Sequence, residues 1–253
     1  MKKITTLVAC TMIVLYGCSP YYYAPNKGNV PNMRDKNDIR LDAGLGGGLV
    51  MNGADIQFAY APLSHFGMMV NGALTTSKYS VSNYDIDHSE TKSHYLEAGL
   101  GYFTKLKENT NWVFEVYGGA GKGEYKSWYS VDEYALLGMK KYFIQPSLSF
   151  THPRRHIEFS VGSRFSGVTH SIKNTTLLNN GGYNELRNLR NFTQGPSSVY
   201  WEPTFRFSGG STKVKGYVSY TPSFGMFNTY DDFREFVNIS LGIRLTMNAS
   251  RKK

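Results

Sequence analysis

Asp85 and Asp87 stand on either side of Ile86 with His88 beside them, in the run S-N-Y-D-I-D-H-S-E. Two carboxylates and an imidazole that share protons can activate a water for hydrolysis, which makes this the most reactive-looking cluster in the chain. No Asp-x-His occurs anywhere in the sequence, so no second acid–imidazole pair at that spacing accompanies it. None of the six histidines is followed two positions later by serine, so the nucleophile and base that would share one face of a strand are also missing. The run Gly118-Gly119-Ala120-Gly121-Lys122-Gly123 misplaces its first glycine for a phosphate loop and has no Ser or Thr after the lysine. In His152-Pro153-Arg154-Arg155-His156 two histidines flank a turn with no carboxylate before Glu158, which is a poor metal site and a good basic turn. The expectation is no catalytic residue, no metal and no cofactor.

A second group of polar residues is more telling, because it recurs in phase. Glu97, Glu115, Glu158, Glu202, Arg206 and Arg244 each sit between apolar neighbours in a two-residue rhythm, Arg164 follows Ser163 and precedes Phe165 in the same phase, and Arg40, Asp42, Asp55, Lys141 and Lys215 fall on the polar face of other strands. The elements that must position them are therefore strands, whose side chains alternate between two faces. The last, Val237 to Met247, sets Val237, Ile239, Leu241, Ile243, Leu245 and Met247 against Asn238, Ser240, Gly242, Arg244 and Thr246. The rhythm returns nine more times upstream. Outward sets such as Leu96, Ala98, Leu100, Tyr102, then Trp112, Phe114, Val116, then Ile157, Phe159, Val161, and Trp201, Pro203, Phe205, Phe207 hold no charge. A charge at the lipid midplane costs roughly 2 to 4 kcal/mol, so sorting of this kind predicts an all-β, ten-stranded antiparallel transmembrane up-and-down β-barrel. Acid and base nearly balance on the inner face, which predicts a salt-bridged network filling a narrow lumen rather than an open pore.

Composition agrees with that reading. The 253 residues include 26 Gly, 19 Tyr and 15 Phe, suited to curved sheets with aromatic rims. Mean hydropathy is −0.37, and nothing after the first twenty residues reaches eighteen consecutive apolar positions, which excludes helical spans. After the first hairpin, connections alternate short and long, as expected of turns facing the periplasm and loops facing outside. An even strand count then puts both termini on the periplasmic side.

Met1 to Lys3 is basic and Ile4 to Tyr16 is apolar but too short to span, the pattern of a secretory signal over residues 1–17. The junction Leu15-Tyr16-Gly17-Cys18 resembles a lipoprotein lipobox, in which Cys18 would be diacylated with chains such as palmitate and become the first mature residue. Tyr16 departs from that pattern. Loss of Lys2 and Lys3 with the leader lowers the formal charge from +9 to +7. These charges are scattered over turns, strands and the Arg-Lys-Lys tail, a distribution that speaks for anionic lipid headgroups and lumen pairing and against nucleic acid. Residues 18–38 hold prolines and no periodicity, so they read as a lipidated tether that spaces the lipid from a barrel over 39–253, or folds back into the barrel floor.

Two resemblances add to this. The segments Tyr22-Tyr23-Ala24-Pro25-Asn26, Asn29-Val30-Pro31, Gln57-Phe58-Ala59-Tyr60-Ala61-Pro62 and His65-Phe66-Gly67 make the chain resemble outer-membrane β-barrel lipoproteins of Bacteroidota. That likeness implies a place and a shape, not an activity. Asp85-Ile86-Asp87 resembles half of an omptin protease site. Ser240, Gly242, Leu245 and Met247 resemble the closing-strand signal of outer-membrane assembly, though neither hydrophobic is aromatic. The expected function is a non-enzymatic, lipid-anchored barrel that is structural or binds a partner, as an accessory subunit of a larger outer-membrane complex. A narrow porin-like channel and an omptin-like surface hydrolase on Asp85, Asp87 and His88 are the alternatives.

Overall fold

A computed structural model of the chain describes residues 22–79, 89–107, 111–130, 132–177, 185–229 and 234–249. The described strands are β1 (Asp38–Gly47), β2 (Met51–Tyr60), β3 (Phe66–Tyr79), β4 (Ser89–Lys105), β5 (Trp112–Trp128), β6 (Tyr134–Thr151), β7 (Glu158–Thr175), β8 (Ser198–Gly210), β9 (Val214–Pro222), β10 (Phe224–Phe227) and β11 (Val237–Asn248). A helix, α1 (Glu185–Gln194), lies between β7 and β8. Neighbours from β1 to β9 pair antiparallel in chain order, β9 pairs with β11, and β11 pairs with β1, so the sheet closes on itself. β9 lies along β8 from Phe205 to Gly210, and β10 continues along β8 from Trp201 to Val199. The two therefore form one stave broken at Ser223, and the barrel has ten staves. Apart from β10, which pairs with β8 alone, every described strand is paired on both sides, which is the condition for crossing a bilayer with strands. No described helix is long and apolar enough to cross a membrane.

Alternation sorts the side chains as the sequence requires. Leu96, Leu100, Tyr102, Trp112, Phe114, Phe159, Trp201, Phe205, Phe207, Leu241 and Ile243 are exposed on the outer wall. Pro203 is the exception in its set and is buried. Glu97, Glu115, Glu158, Arg164, Glu202, Arg206 and Arg244 all point inward, none more than 3% exposed. Grease outside and buried charge inside is the reverse of a soluble domain, and it is the arrangement of an outer-membrane β-barrel.

Several strands run past the expected boundaries at the long-loop end. β5 continues to Trp128 and β6 begins at Tyr134, where a loop over 126–138 is expected from the sequence. β7 continues to Thr175, and α1 occupies part of the expected loop over 170–198. Beyond the bilayer only the outer face of a strand is wet, while Tyr125, Ala135, Leu137 and Met139 stay buried on the inner face, so the ladder of backbone hydrogen bonds goes on after the apolar outer face has stopped. α1 buries Leu186, Leu189 and Phe192, a spacing of three that places them on one helical face.

Candidate functional site, the filled lumen

The interior is occupied by the chain's own amino-terminal segment. Tyr22, Tyr23, Lys27, Asn29, Val30, Asn32 and Met33 are each at most 2% exposed, although they precede the first strand. This corrects the expected tether. The described part, from Tyr22 to the start of β1, runs the length of the lumen instead of spanning water or resting only in the floor. A proline-rich segment without hydrogen-bond periodicity can be buried only if the walls supply partners for its backbone, and the inward polar residues do this.

At the long-loop mouth the Tyr22 hydroxyl meets that of Tyr129, which follows β5, and the Tyr22 carbonyl lies 2.9 Å from His170 Nε2. The Tyr22 ring also packs on Phe192 of α1. One residue on, the Tyr23 carbonyl accepts the Glu235 N–H at 2.7 Å, and its ring stacks on Tyr200 with centroids 4.4 Å apart. Glu235 accepts the N–H groups of Val50 and Met51 at 2.8 and 3.1 Å, which ties the segment to the β1–β2 hairpin.

Below this rim two clusters of charge grip the segment. In the upper one Lys141 lies 3.1 Å from Glu202 and donates to Tyr23 and Asn26. Arg164 pairs with Glu97 at 3.0 Å and reaches Asn26 Oδ1 at 3.1 Å. Glu97 also accepts from Asn71 at 2.6 Å, Asn26 at 3.2 Å and the Tyr95 hydroxyl. In the lower cluster Arg244 holds Asp42 through two contacts of 2.9 Å, Arg206 meets the same carboxylate at 2.6 Å, and Glu158 bridges Arg244 to Lys215. The Arg244 fork also donates to the Val30 carbonyl at 2.8 Å, and Arg40 donates to the carbonyls of Pro31 and Asn32. Between the clusters Lys27 pairs with Asp55, and its carbonyl accepts from Gln57 at 2.8 Å. Gln145 donates to the Asn29 carbonyl at 2.6 Å.

Glu115 departs from the expected pattern. Its carboxylate accepts the backbone N–H groups of Asn32 and Met33, both at 2.9 Å, so it holds the segment's main chain. Further down, Arg34 donates to the Asn111 carbonyl at 2.6 Å at the short turn before β5, and Lys105 pairs with Asp35 at 2.9 Å. Glycine at position 28 is required by close approach, because a Cβ there would lie 2.4 Å from Thr204 Oγ1. A recess beside Lys27 and Lys141 holds about 30 Å³, room for roughly one water molecule.

All seven wall charges named from the sequence therefore converge on the lumen, six in ion pairs, except that Glu115 serves the plug backbone. Sequence reasoning missed Tyr23, Asn26 and Asn32 as their partners, and Lys27 as the partner of Asp55. The available signal was a segment dense in Tyr and Asn ahead of a lumen whose polar groups needed mates. Cys18, Asp85, Asp87 and His88 lie outside the described residues. Among the described residues no cluster of three or more metal-ligating side chains is present.

No protein-family model matches the chain. No curated protein sequence matches it. Among solved structures it is similar to the translocator domain of the autotransporter NalP from Neisseria meningitidis, at 12% identity and a TM-score of 0.41, over 82% of this chain and 86% of that one. It is also similar to OmpT, an outer membrane protein of Vibrio cholerae, at 8% identity and a TM-score of 0.29, over 83% of this chain and 96% of that one.

Proposed function

We propose that the chain is a non-enzymatic, lipid-anchored outer-membrane barrel that serves as a structural or partner-binding subunit. The observation that carries this is the filled lumen: a pore needs a continuous wet path, and here side chains and an internal segment occupy it. The segment is not a loose gate, because hydrogen bonds from both charge clusters and the Lys27–Asp55 pair hold it, and breaking one buried pair alone costs about 3 to 5 kcal/mol. With the interior committed to packing, the surface left for binding is the long-loop end, where α1 turns Asn188 and Arg190 to solvent. The lipid on Cys18 would fix the chain to the membrane independently of its strands.

Two measurements test the reading. In planar bilayers the full chain should pass no ohmic current, and deletion of residues 22–33 should open it. A photo-crosslinking residue at Asn188 or Arg190 should trap a discrete partner in living cells. Steady conductance from the full chain, with no adduct at either position, would replace this proposal with the narrow channel.

A further inference from the structure

The amino-terminal segment has a direction, and the direction fixes a side of the membrane. Tyr22 contacts Tyr129, His170 and Phe192, all at the long-loop end of the barrel. Asn26 and Lys27 lie at mid-height against Glu97, Arg164 and Asp55. Asn32 and Met33 lie lower, on Glu115, and Arg34 and Asp35 reach the short-turn rim at Asn111 and Lys105. The chain thus descends from the long-loop mouth to the short-turn mouth before it enters β1. β11 ends at the short-turn mouth, where Asn248 donates to Asp38 at 2.7 Å. Only the carboxyl-terminal strand agrees with the expectation that both ends leave from that side.

We infer that the chain preceding Tyr22 leaves the barrel through the long-loop mouth, which faces the cell exterior, so that an acyl group on Cys18 is delivered to the outer leaflet. The inference rests on the lipid-anchored barrel proposed above for its lipid, but not for its topology. Cys18 is four residues from Tyr22, and four extended residues reach at most about 14 Å. The hydrocarbon core is about 30 Å thick, so the reach is less than half of what a return to the periplasmic leaflet demands. The recess beside Lys27, at about 30 Å³, is far too small to hold a returning stretch of chain. The same topology sets an order of assembly: the segment must be in place before β11 closes between β1 and β9.

The test uses the full chain in the outer membrane of living cells, with one cysteine introduced at either end of the segment. Pro20→Cys should react with a membrane-impermeant maleimide in intact cells. Lys36→Cys, exposed at the short-turn rim, should react only after the outer membrane is permeabilised. An epitope inserted after Pro20, scored by antibody binding to intact cells, gives the same readout where the thiol is unreactive. Heat-dependent mobility on gels checks that each variant has folded. Labelling of Lys36→Cys in intact cells, or of Pro20→Cys only after permeabilisation, overturns the inference. The mass of the amino-terminal peptide reports the lipid separately: where Cys18 is unlipidated its own thiol would label, so both variants are then made with Cys18→Ser, and labelling of Pro20→Cys in that background keeps the topology and loses the anchor.

Discussion

Arg244 is the residue on which most of the lower lumen converges. It neutralises Asp42 and Glu158 and donates to the Val30 carbonyl, and it is fully buried. Arg244→Ala should leave two carboxylates short of a partner in a dry interior and destabilise the barrel by about 3 to 5 kcal/mol, read from urea unfolding in detergent. Arg244→Lys should recover only part of this, because a point charge cannot reproduce the two parallel contacts to Asp42. Glu115 offers a different test, since its partners are backbone amides. Glu115→Ala should cost about 1 to 3 kcal/mol for each N–H left unsatisfied. Hydrogen exchange at Asn32 and Met33 should be slow in the parent chain and fast in that variant, with strand amides unchanged. Both residues were legible in the sequence as lumen charges, because period-two alternation determines which face a side chain takes. Their partners were not, because a segment without periodicity carries no trace of what it packs against. Glu115 looked like half of an ion pair for the same reason.

Among the elements, the staves were legible and their outer ends were not. An apolar outer face exists only where it meets lipid, so it marks the membrane-embedded part of β5, β6 and β7 and gives way beyond it, where Tyr125, Leu137 and Met139 turn the apolar side inward. α1 was hidden by composition: its asparagines suggest a loop, while Leu186, Leu189 and Phe192 supply the face that packs it down. The amino-terminal segment is the element whose placement decides function, and Gly28 is its tightest point. Gly28→Phe should force the segment away from Thr204, whereas Gly209→Ala, where an added Cβ meets nothing within 4 Å, should be silent. The expected result for Gly28→Phe is a folded barrel with a protease-sensitive amino-terminal segment and bilayer conductance near that of the deletion of residues 22–33. A folded variant that stays closed and protease-resistant would show that the seat tolerates bulk at this point.

On the scale of the whole molecule, the positive charge is divided between two environments that the net value does not distinguish. Inside, Arg and Lys are matched by carboxylates. Outside, toward the long-loop end, Lys92, Lys122, Lys140 and Lys173 are exposed on the outer wall above Tyr142, itself 65% exposed. Lys122 and Lys140 are direct cross-strand partners, an arrangement that is destabilising between like charges unless an anion lies near. Glu124 offsets part of this field through Lys173, but no carboxylate of the described residues bridges Lys122 to Lys140. Lysines just above the apolar belt stand at headgroup level, where each contributes about 1 kcal/mol of attraction to an anionic surface. Thermal stability should therefore rise when the barrel is moved from phosphatidylcholine to phosphatidylglycerol vesicles at low salt. The gain should shrink in the double variant Lys122→Gln and Lys140→Gln, and should fade in the parent chain as added salt screens the surface. The lumen pairs, shielded from salt by burial, should keep their contribution throughout, so an equal loss of stability in both lipids would place the salt-sensitive charges inside the barrel and not on its wall.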